Sequence, residues 1–218
     1  MAPVGIVLLA YLVGSIPASY IAGRLARGID LRDHGSGNLG ATNVVRVLGW
    51  AWAIPTALFD IAKGFAPAWF ATSLLGIAGV ESGGGTPEAW TLAIGLAAVL
   101  GHVFSIWVGF RGGKGIATAL GVFLALSPLG VGGAALVWVA LVLTTRYVSA
   151  GSISAVVSLP FFVYWAEGGF DPATGAPGLI GPLGLAVLVA VLGTWAHRAN
   201  IGRLLNGTEN RFSKRKAT

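Results

Sequence analysis

The sequence predicts an all-α, polytopic integral membrane protein with seven transmembrane helices. Apolar residue types make up 55% of its 218 residues and charged types only 10%, whereas about a quarter of a soluble domain is charged. The mean hydropathy is +0.79. Charge-poor runs about as long as a membrane-spanning helix, roughly 20 residues, recur along the chain. These observations exclude a soluble enzyme, a disordered chain and a nucleic-acid-binding module.

The net charge indicates which partners the protein has, and the cysteine count limits its chemistry. We assign the formal net charge of +6 to cytoplasmic loops that meet anionic lipids or phosphates, and we expect no nucleic-acid partner. The sequence contains no cysteine, which excludes disulfides, thiolate catalysis and thiolate metal ligands. The first apolar run lacks the basic start of a signal peptide, so we expect it to remain as a helix.

The charge-poor runs mark the candidate spans. They cover residues 1–23, 47–80, 89–110, 115–145, 147–166 and 172–196. The second run alone contains charges, Asp60 and Lys63, which are three residues apart and can neutralise each other on one helix face. We predict a structural ion pair. The many Gly and Ala residues of the later spans predict closely packed helices.

The run 115–145 allows two interpretations, one long tilted helix or two short helices meeting at residues 127–130. The distribution of basic residues decides between them. If this run crosses twice, every Lys and Arg outside the spans falls on one face of the membrane, while the loops 81–88 and 167–171 carry acids and no bases. The positive-inside rule then gives seven crossings, an outside N-terminus and a cytoplasmic C-terminus. This interpretation requires two short helices of roughly 15 residues, each shorter than the bilayer core is thick.

Residues 30–46 form the first polar cytoplasmic loop. Ser36, Asn38, Thr42 and Asn43 alternate with glycines and precede Arg46. Glycine lets backbone N–H groups converge on an anion, and the polar side chains add donors. The alternative is an ordinary glycine-rich turn with a helix cap.

The second polar loop, residues 101–118, contains Gly-Gly-Lys-Gly at positions 112–115, where a helix starts. A helix N-terminus flanked by glycines and a lysine can bind phosphate. It is not a Walker A loop, because Gly115 occupies the position of the magnesium-binding Ser or Thr. Arg111 and Lys114 could instead be simple positive-inside anchors.

The third polar segment, residues 197–212, places His197, Asn200 and Arg203 at three-residue steps, so they can share one helix face. Glu209 can pair with one of these bases. The alternative is an amphipathic tail on anionic lipid. A smaller patch, which includes Ser152, spans residues 147–152 at the start of another span.

The histidines do not have the spacing of a zinc site, so we predict no metal and no cofactor. His34 is expected to be a loop residue. His102 follows Gly101 near the end of a span. A role of His102 in helix packing or at the interface and a role in the site are equally compatible with this position.

Taken together, GSGNLGATN followed by Arg46, FRGGKGIAT, RYVSAGSI, and HRANIGRL followed by Glu209 resemble the bacterial acyl-phosphate:glycerol-3-phosphate acyltransferase family. The resemblance covers essentially the whole chain, in the order of its motifs and spans. Ser105 departs from the family pattern, because proline is usual there. The His-x4-Asp motif of the other large group of glycerolipid acyltransferases is absent.

This resemblance implies one membrane acyltransferase domain over residues 1–218. It would transfer a fatty acyl group from acyl phosphate to the 1-hydroxyl of glycerol 3-phosphate, giving lysophosphatidic acid and phosphate in the first step of phospholipid synthesis. It also implies a bacterial inner-membrane protein whose site faces the cytoplasm. The partners would be the two substrates and membrane lipids, and we expect a monomer.

The resemblance also implies the site residues. The catalytic group would be Ser36, Arg46, Lys114, His197 and Asn200. The substrate-binding positions would be Gly37, Asn38, Thr42, Asn43, His102, Gly112, Gly113, Gly115, Ser152, Arg203 and Glu209. The Gly-Gly-Lys-Gly loop would neutralise the departing phosphate.

The proton acceptor has two candidates, His197 and a substrate phosphate, whose second pKa is about 6. Our hypothesis is that the phosphate takes the proton and His197 orients it. The acyl phosphate is already activated, so we expect direct attack by the glycerol hydroxyl, although Ser36 could in principle be acylated. The competing functions are a transporter for phosphate or phosphate esters and a non-catalytic lipid-binding or partner protein. A transporter more often places repeated halves around a midplane site.

Overall fold

The structure, a computed structural model, describes residues 2–77, 87–169 and 181–212, and every regular element in these ranges is helical. Short 3₁₀ turns cover Leu31–Asp33 and Ile106–Val108. The α-helices are α1 Ala2–Ser15, α2 Ala18–Arg27, α3 Ala41–Leu48, α4 Trp50–Trp69, α5 Ala71–Ile77, α6 Pro87–Val103, α7 Ile116–Leu126, α8 Pro128–Thr145, α9 Val148–Ala166, α10 Pro182–Ala196 and α11 Arg198–Leu205. The predicted all-α class is confirmed for the described residues.

Several described helices are apolar enough to cross a bilayer. Pro3–Arg27, Glu88–Val108, Pro128–Thr145 and Val148–Ala166 have the required length and composition, and α10 with α11 makes a further candidate that is bent by 59°. The number of crossings and the orientation stay predictions. Part of the charge pattern behind them, Glu81, Asp171 and the basic positions 214–216, lies outside the described residues.

The run 115–145 is divided into two helices, as the orientation argument predicts. Helix α7 has 11 residues and α8 has 18, so the break is less central than expected. Ser127 ends α7 by donating its N–H to the Phe123 carbonyl, and Pro128 begins α8 at a position where its missing N–H costs nothing. Helix α7 is only about 16 Å long at ~1.5 Å per residue. It therefore depends on neighbouring helices for cover.

Helix α7 lies at the centre of the largest apolar core. Its Val122 and Phe123 are fully buried, and they belong to one cluster with side chains from α4, α6, α8, α9 and α10. Glycines permit the closest approach. A Cβ on Gly121 of α7 would overlap the Ile61 backbone of α4, and one on Gly64 of α4 would overlap the Thr118 backbone of α7. The predicted glycine-mediated helix packing is thus present, and it brings the first residues of α7 beside α4.

We expect Gly121→Ala to destabilise the protein. The added methyl group has no room between α4 and α7, and overpacking of this kind costs about 1–3 kcal/mol. The measurement is the midpoint of thermal unfolding in detergent. Gly132→Ala in α8 is the matched control, because nothing lies within 4 Å of its Cβ position and alanine favours a helix. Equal midpoints for the two variants would contradict the packing assignment.

Candidate active site

A cavity of about 390 Å³ collects polar groups from helix ends and apolar groups from helix interiors. All five residues predicted to be catalytic line it, and so do Asn38, Thr42, Asn43, His102, Gly115, Ser152, Arg203 and Glu209. Its apolar lining comes from the inner turns of α7, α8 and α9, namely Leu120, Val131, Ala134, Trp138, Val156 and Leu159. The cavity can therefore hold a ligand with a charged head and an apolar chain.

Asn43 gives the first polar loop its shape. Its carboxamide oxygen accepts the Ser36 N–H at 2.8 Å, while its NH₂ group donates to the carbonyls of Leu31 and His34 at 3.1 and 3.0 Å. The side chain is 1% exposed. Asn43 was predicted to bind substrate, but these three bonds to the loop give it a structural role, and it orients Ser36 toward the cavity.

A second set of contacts fixes this loop against the 3₁₀ turn Ile106–Val108. Arg32 forms a 2.6 Å ion pair with Asp30 and donates to the Val108 carbonyl at 2.9 Å. The Arg32 guanidinium, through its hydrogen bonds to the Asp30 carboxylate, holds the pKa of Asp30 below its ordinary value. The loop is thus anchored outside the cavity by charges that do not line it.

Arg46 supplies an uncommitted positive charge. It lies on α3 four residues after Thr42, so both side chains project from the same helix face into the cavity lining. Within the part of the chain that the structure describes, the Arg46 guanidinium has no hydrogen-bond or ion-pair partner. It is therefore available to an anionic ligand.

Lys114 enters the cavity from the turn that precedes α7. Its ammonium group donates to the Asn200 carboxamide oxygen on α11. Burial lowers the pKa of Lys114 to about 8, and the positive charges of Arg203 and Arg46 act in the same direction against the attraction of Glu209. Gly115 is in the left-handed conformation, with φ 80°, and it turns the chain into α7. Ile116 and Ala117, the first residues of α7, also line the cavity.

Three glycines predicted to bind substrate, Gly37, Gly112 and Gly113, do not line the cavity. The backbone N–H groups of these glycines already have partners. They donate to the backbone carbonyls of His34 (from Gly37), Val103 (from Gly112) and His102 (from Gly113). Gly112 and Gly113 instead allow the loop to pass close beneath the end of α6, because a Cβ on either would overlap His102. The amides of these glycines are therefore not directed at the cavity, whereas Lys114 and the first turn of α7 line it.

Glu209 organises the third segment. Its carboxylate accepts from Asn200 at 2.8 Å, from Arg203 at 2.6 Å and from Ser149 of α9 at 2.9 Å. Burial alone would raise the pKa of Glu209, but these hydrogen bonds outweigh burial and hold the pKa below its ordinary value. The predicted pairing of Glu209 with a base is confirmed, and its partner is Arg203. Because all three hydrogen bonds are made within the protein, Glu209 positions Asn200, Arg203 and Ser149 rather than binding a ligand itself.

His197 lies in the bend between α10 and α11. Its Nδ1 is 2.7 Å from the Gly193 carbonyl, which requires a proton on Nδ1 and leaves Nε2 as the acceptor of the neutral ring. Burial lowers the pKa of His197 to about 4, and the positive charge of Lys114 adds to this effect. His197 is therefore neutral at pH 7.

Some residues that line the cavity were not predicted from the sequence to belong to the site. The Trp138 indole donates to the Ser152 hydroxyl at 3.2 Å, which ties α8 to α9 beside the site. Phe212 lines the cavity, donates its N–H to Arg146 at 2.7 Å and packs edge-on against Trp50. Asp60 also reaches the lining. The charge of Asp60 within an apolar run was the only sequence signal for any of these contacts.

Comparison with known proteins identifies the family of the chain. The profile of the glycerol-3-phosphate acyltransferase family matches residues 4–207. The chain belongs to this family. A relative named glycerol-3-phosphate acyltransferase from Geobacter sulfurreducens is 47% identical over 203 residues, covering 93% of this chain and 94% of its own. One from Aquifex aeolicus is 42% identical, covering 95% and 97%.

A solved structure is similar over nearly the whole length. The crystal structure of PlsY, an integral membrane glycerol 3-phosphate acyltransferase, in its glycerol 3-phosphate form has a TM-score of 0.80 and 40% identity, covering 98% of this chain and 96% of that one. Its lysophosphatidic acid form has the same TM-score at 39% identity. The predictions of an acyltransferase and of an integral membrane protein are thereby confirmed, and family membership favours the enzyme over the transporter.

We expect Glu209→Gln to lower stability. The substitution keeps the shape of the side chain but removes its charge from the bonds to Arg203 and Asn200, and a hydrogen bond to a charged group contributes about 1.5–3 kcal/mol. Thermal unfolding in detergent measures the effect. Glu167→Gln, at an exposed carboxylate after α9, is the control and should unfold like the wild type. A Glu209→Gln midpoint equal to that of the control would contradict the organising role.

Proposed function

We propose that the protein transfers a fatty acyl group from acyl phosphate to the 1-hydroxyl of glycerol 3-phosphate, giving lysophosphatidic acid and inorganic phosphate in the first step of phospholipid synthesis. One observation carries the proposal. Ser36, Lys114 and His197, from three distant segments, line a single cavity whose remaining wall is apolar. A phosphate ester and a lipid-like donor can meet in such a cavity.

The polar lining has the charge that two phosphates require. Each phosphate monoester carries about −1.5 to −2 charges at pH 7. Arg46, Lys114 and Arg203 line the cavity. Of the carboxylates that line it, Glu209 is occupied by internal hydrogen bonds and Asp60 is paired with Lys63. Ser36, Asn38, Thr42 and Ser152 add hydroxyl and amide groups. We assign these residues to substrate binding, with Lys114 and the first turn of α7 facing the departing phosphate.

The reaction needs no covalent enzyme intermediate. The glycerol hydroxyl oxygen attacks the acyl carbon, the carbon–oxygen bond to phosphate breaks, and the electron pair leaves with inorganic phosphate. Lys114 neutralises the charge that develops on that phosphate. The acyl chain lies along the apolar wall formed by α7, α8 and α9, which supports lateral entry from the membrane.

The hydroxyl proton goes to a substrate phosphate in this mechanism. With a pKa of about 4, His197 is a weak base at neutral pH, while a phosphate monoester has a second pKa of about 6. The Gly193 carbonyl fixes the His197 ring with Nε2 as its free acceptor, so that a hydroxyl can be oriented without transferring its proton to the ring. This geometry supports the orienting role.

We further propose that the chain is one domain over residues 1–218 that acts as a monomer in the bacterial inner membrane. It would cross the membrane seven times, with the N-terminus outside and the C-terminus and the site on the cytoplasmic side. The break between α7 and α8 supports this count, because a double crossing keeps the basic loops on one face. The water-soluble substrate and the released phosphate would then exchange with the cytoplasm.

The direct test supplies purified protein with acyl phosphate and glycerol 3-phosphate and measures lysophosphatidic acid and phosphate. We expect equimolar products from the wild type and a loss of about 10²–10³ in rate for Lys114→Ala, since the variant removes a charge that faces the leaving group. Arg111→Ala is the control, because Arg111 belongs to the same loop but is exposed and does not line the cavity. Neither product from folded wild-type protein would contradict the function, and equal rates for the two variants would remove Lys114 from the site.

The pH dependence provides a separate prediction. The Lys114 ammonium loses its proton as the pH rises through about 8, so kcat/KM for acyl phosphate, which reports Lys114 before that substrate binds, should fall above that pH. The substrate phosphate is already a dianion there and does not titrate. In Lys114→Arg, the guanidinium stays charged, so the fall should move to higher pH even if the maximum rate is lower. An unchanged profile in Lys114→Arg would show that another group titrates.

A further inference from the structure

A buried cluster of charged groups lies beside the Gly-Gly-Lys-Gly loop. Asp60 and Lys63 form a 2.7 Å ion pair within α4, as predicted, and both side chains are 2% exposed. Lys63 also donates to the Ile16 carbonyl, at the break between α1 and α2, at 2.7 Å. Nδ1 of His102, near the end of α6, is 3.5 Å from the same Asp60 oxygen. Ionisable groups in an apolar span are costly, and they usually mark function.

The cluster touches the loop through His102. The His102 carbonyl accepts the Gly113 N–H at 3.0 Å, and the next carbonyl, Val103, accepts the Gly112 N–H at 3.0 Å. The His102 ring faces the same loop, because a Cβ on Gly113 would overlap Nε2. One ring nitrogen therefore faces Asp60 and the other faces the residue that precedes Lys114.

We propose that Asp60 is a positioning residue of the phosphate site: by holding the His102 ring, it fixes Gly113 and so sets the point at which Lys114 enters the cavity. Asp60 acts through His102 and need not touch the reacting atoms. This inference rests on the proposed function and extends it from the polar loops to the buried charges of α4. Lys63 compensates the buried charge that this support requires.

A purely structural ion pair is the alternative. In that case Asp60 and Lys63 would only join α4 to the break between α1 and α2. The two explanations predict different activities when neutral side chains replace both residues of the pair. Exchanging a buried ion pair for neutral side chains of similar size is often tolerated, whereas removing one partner leaves an uncompensated charge. A neutral double variant thus preserves the fold while removing the support of His102.

The experiment compares two neutral double variants in detergent. Asp60→Leu with Lys63→Met removes the oxygen that faces His102, and Asp60→Asn with Lys63→Met retains one. We expect both to unfold near the wild-type temperature. The leucine variant should lose on the order of 10–100-fold in kcat/KM, the scale expected for a misplaced group in a site. It should also lose the rise in unfolding temperature that inorganic phosphate gives the wild type. The asparagine variant should recover most of both.

Equal kcat/KM and equal phosphate stabilisation in the two double variants would overturn the proposal, because the oxygen facing His102 would then be irrelevant. Should the double variants fail to fold, His102→Leu keeps the Asp60–Lys63 pair, and unchanged phosphate stabilisation in that variant would overturn it equally. An inactive wild type that is still stabilised by phosphate would reject the proposed reaction alone. An active wild type with insensitive variants would reject this inference alone.

Discussion

The proposed site depends on keeping several positive charges close together before any anion binds. Lys114, Arg203 and Arg46 line one cavity, and burial, together with the positive charges of Arg203 and Arg46, lowers the pKa of Lys114. Glu209 makes the arrangement possible by binding Arg203 and Asn200 together, while Asn200 in turn accepts from Lys114. The network holds the donors in place and, among the described residues, contains no partner for Arg46.

The position of this network follows from the lengths of the helices. Helix α7 is too short to cross the apolar core of a bilayer alone. In the proposed orientation its first turn, with Lys114 just before it, would lie where water and headgroups can reach. The same helix carries Leu120 into the apolar wall of the cavity. A single short element therefore connects the phosphate end to the chain end. This connection suits a reaction between a soluble ester and a lipid-like donor.

The sequence predicts the parts of the fold that follow from local composition. The apolar runs and the break near Ser127 depend on patterns within the chain, whereas the union of the three polar segments in one site was implied by the family resemblance. What it misses depends on tertiary contacts. Gly112 and Gly113 have the composition of an anion cradle, but the carbonyls that end α6 take their amides first. Asn43 has the composition of a ligand-binding residue, yet it satisfies the carbonyls of its own loop.

The wide separation of the network along the chain has a consequence for biogenesis. Lys114 is synthesised well before Asn200 and Glu209, so in a partly synthesised chain Lys114 and Arg46 have neither the Asn200 acceptor nor the nearby negative charge of Glu209. Until that last segment packs against α9 through Ser149, anionic headgroups are the available counter-ions for these side chains. Lipid composition should therefore influence the yield of correctly assembled enzyme independently of its effect on turnover.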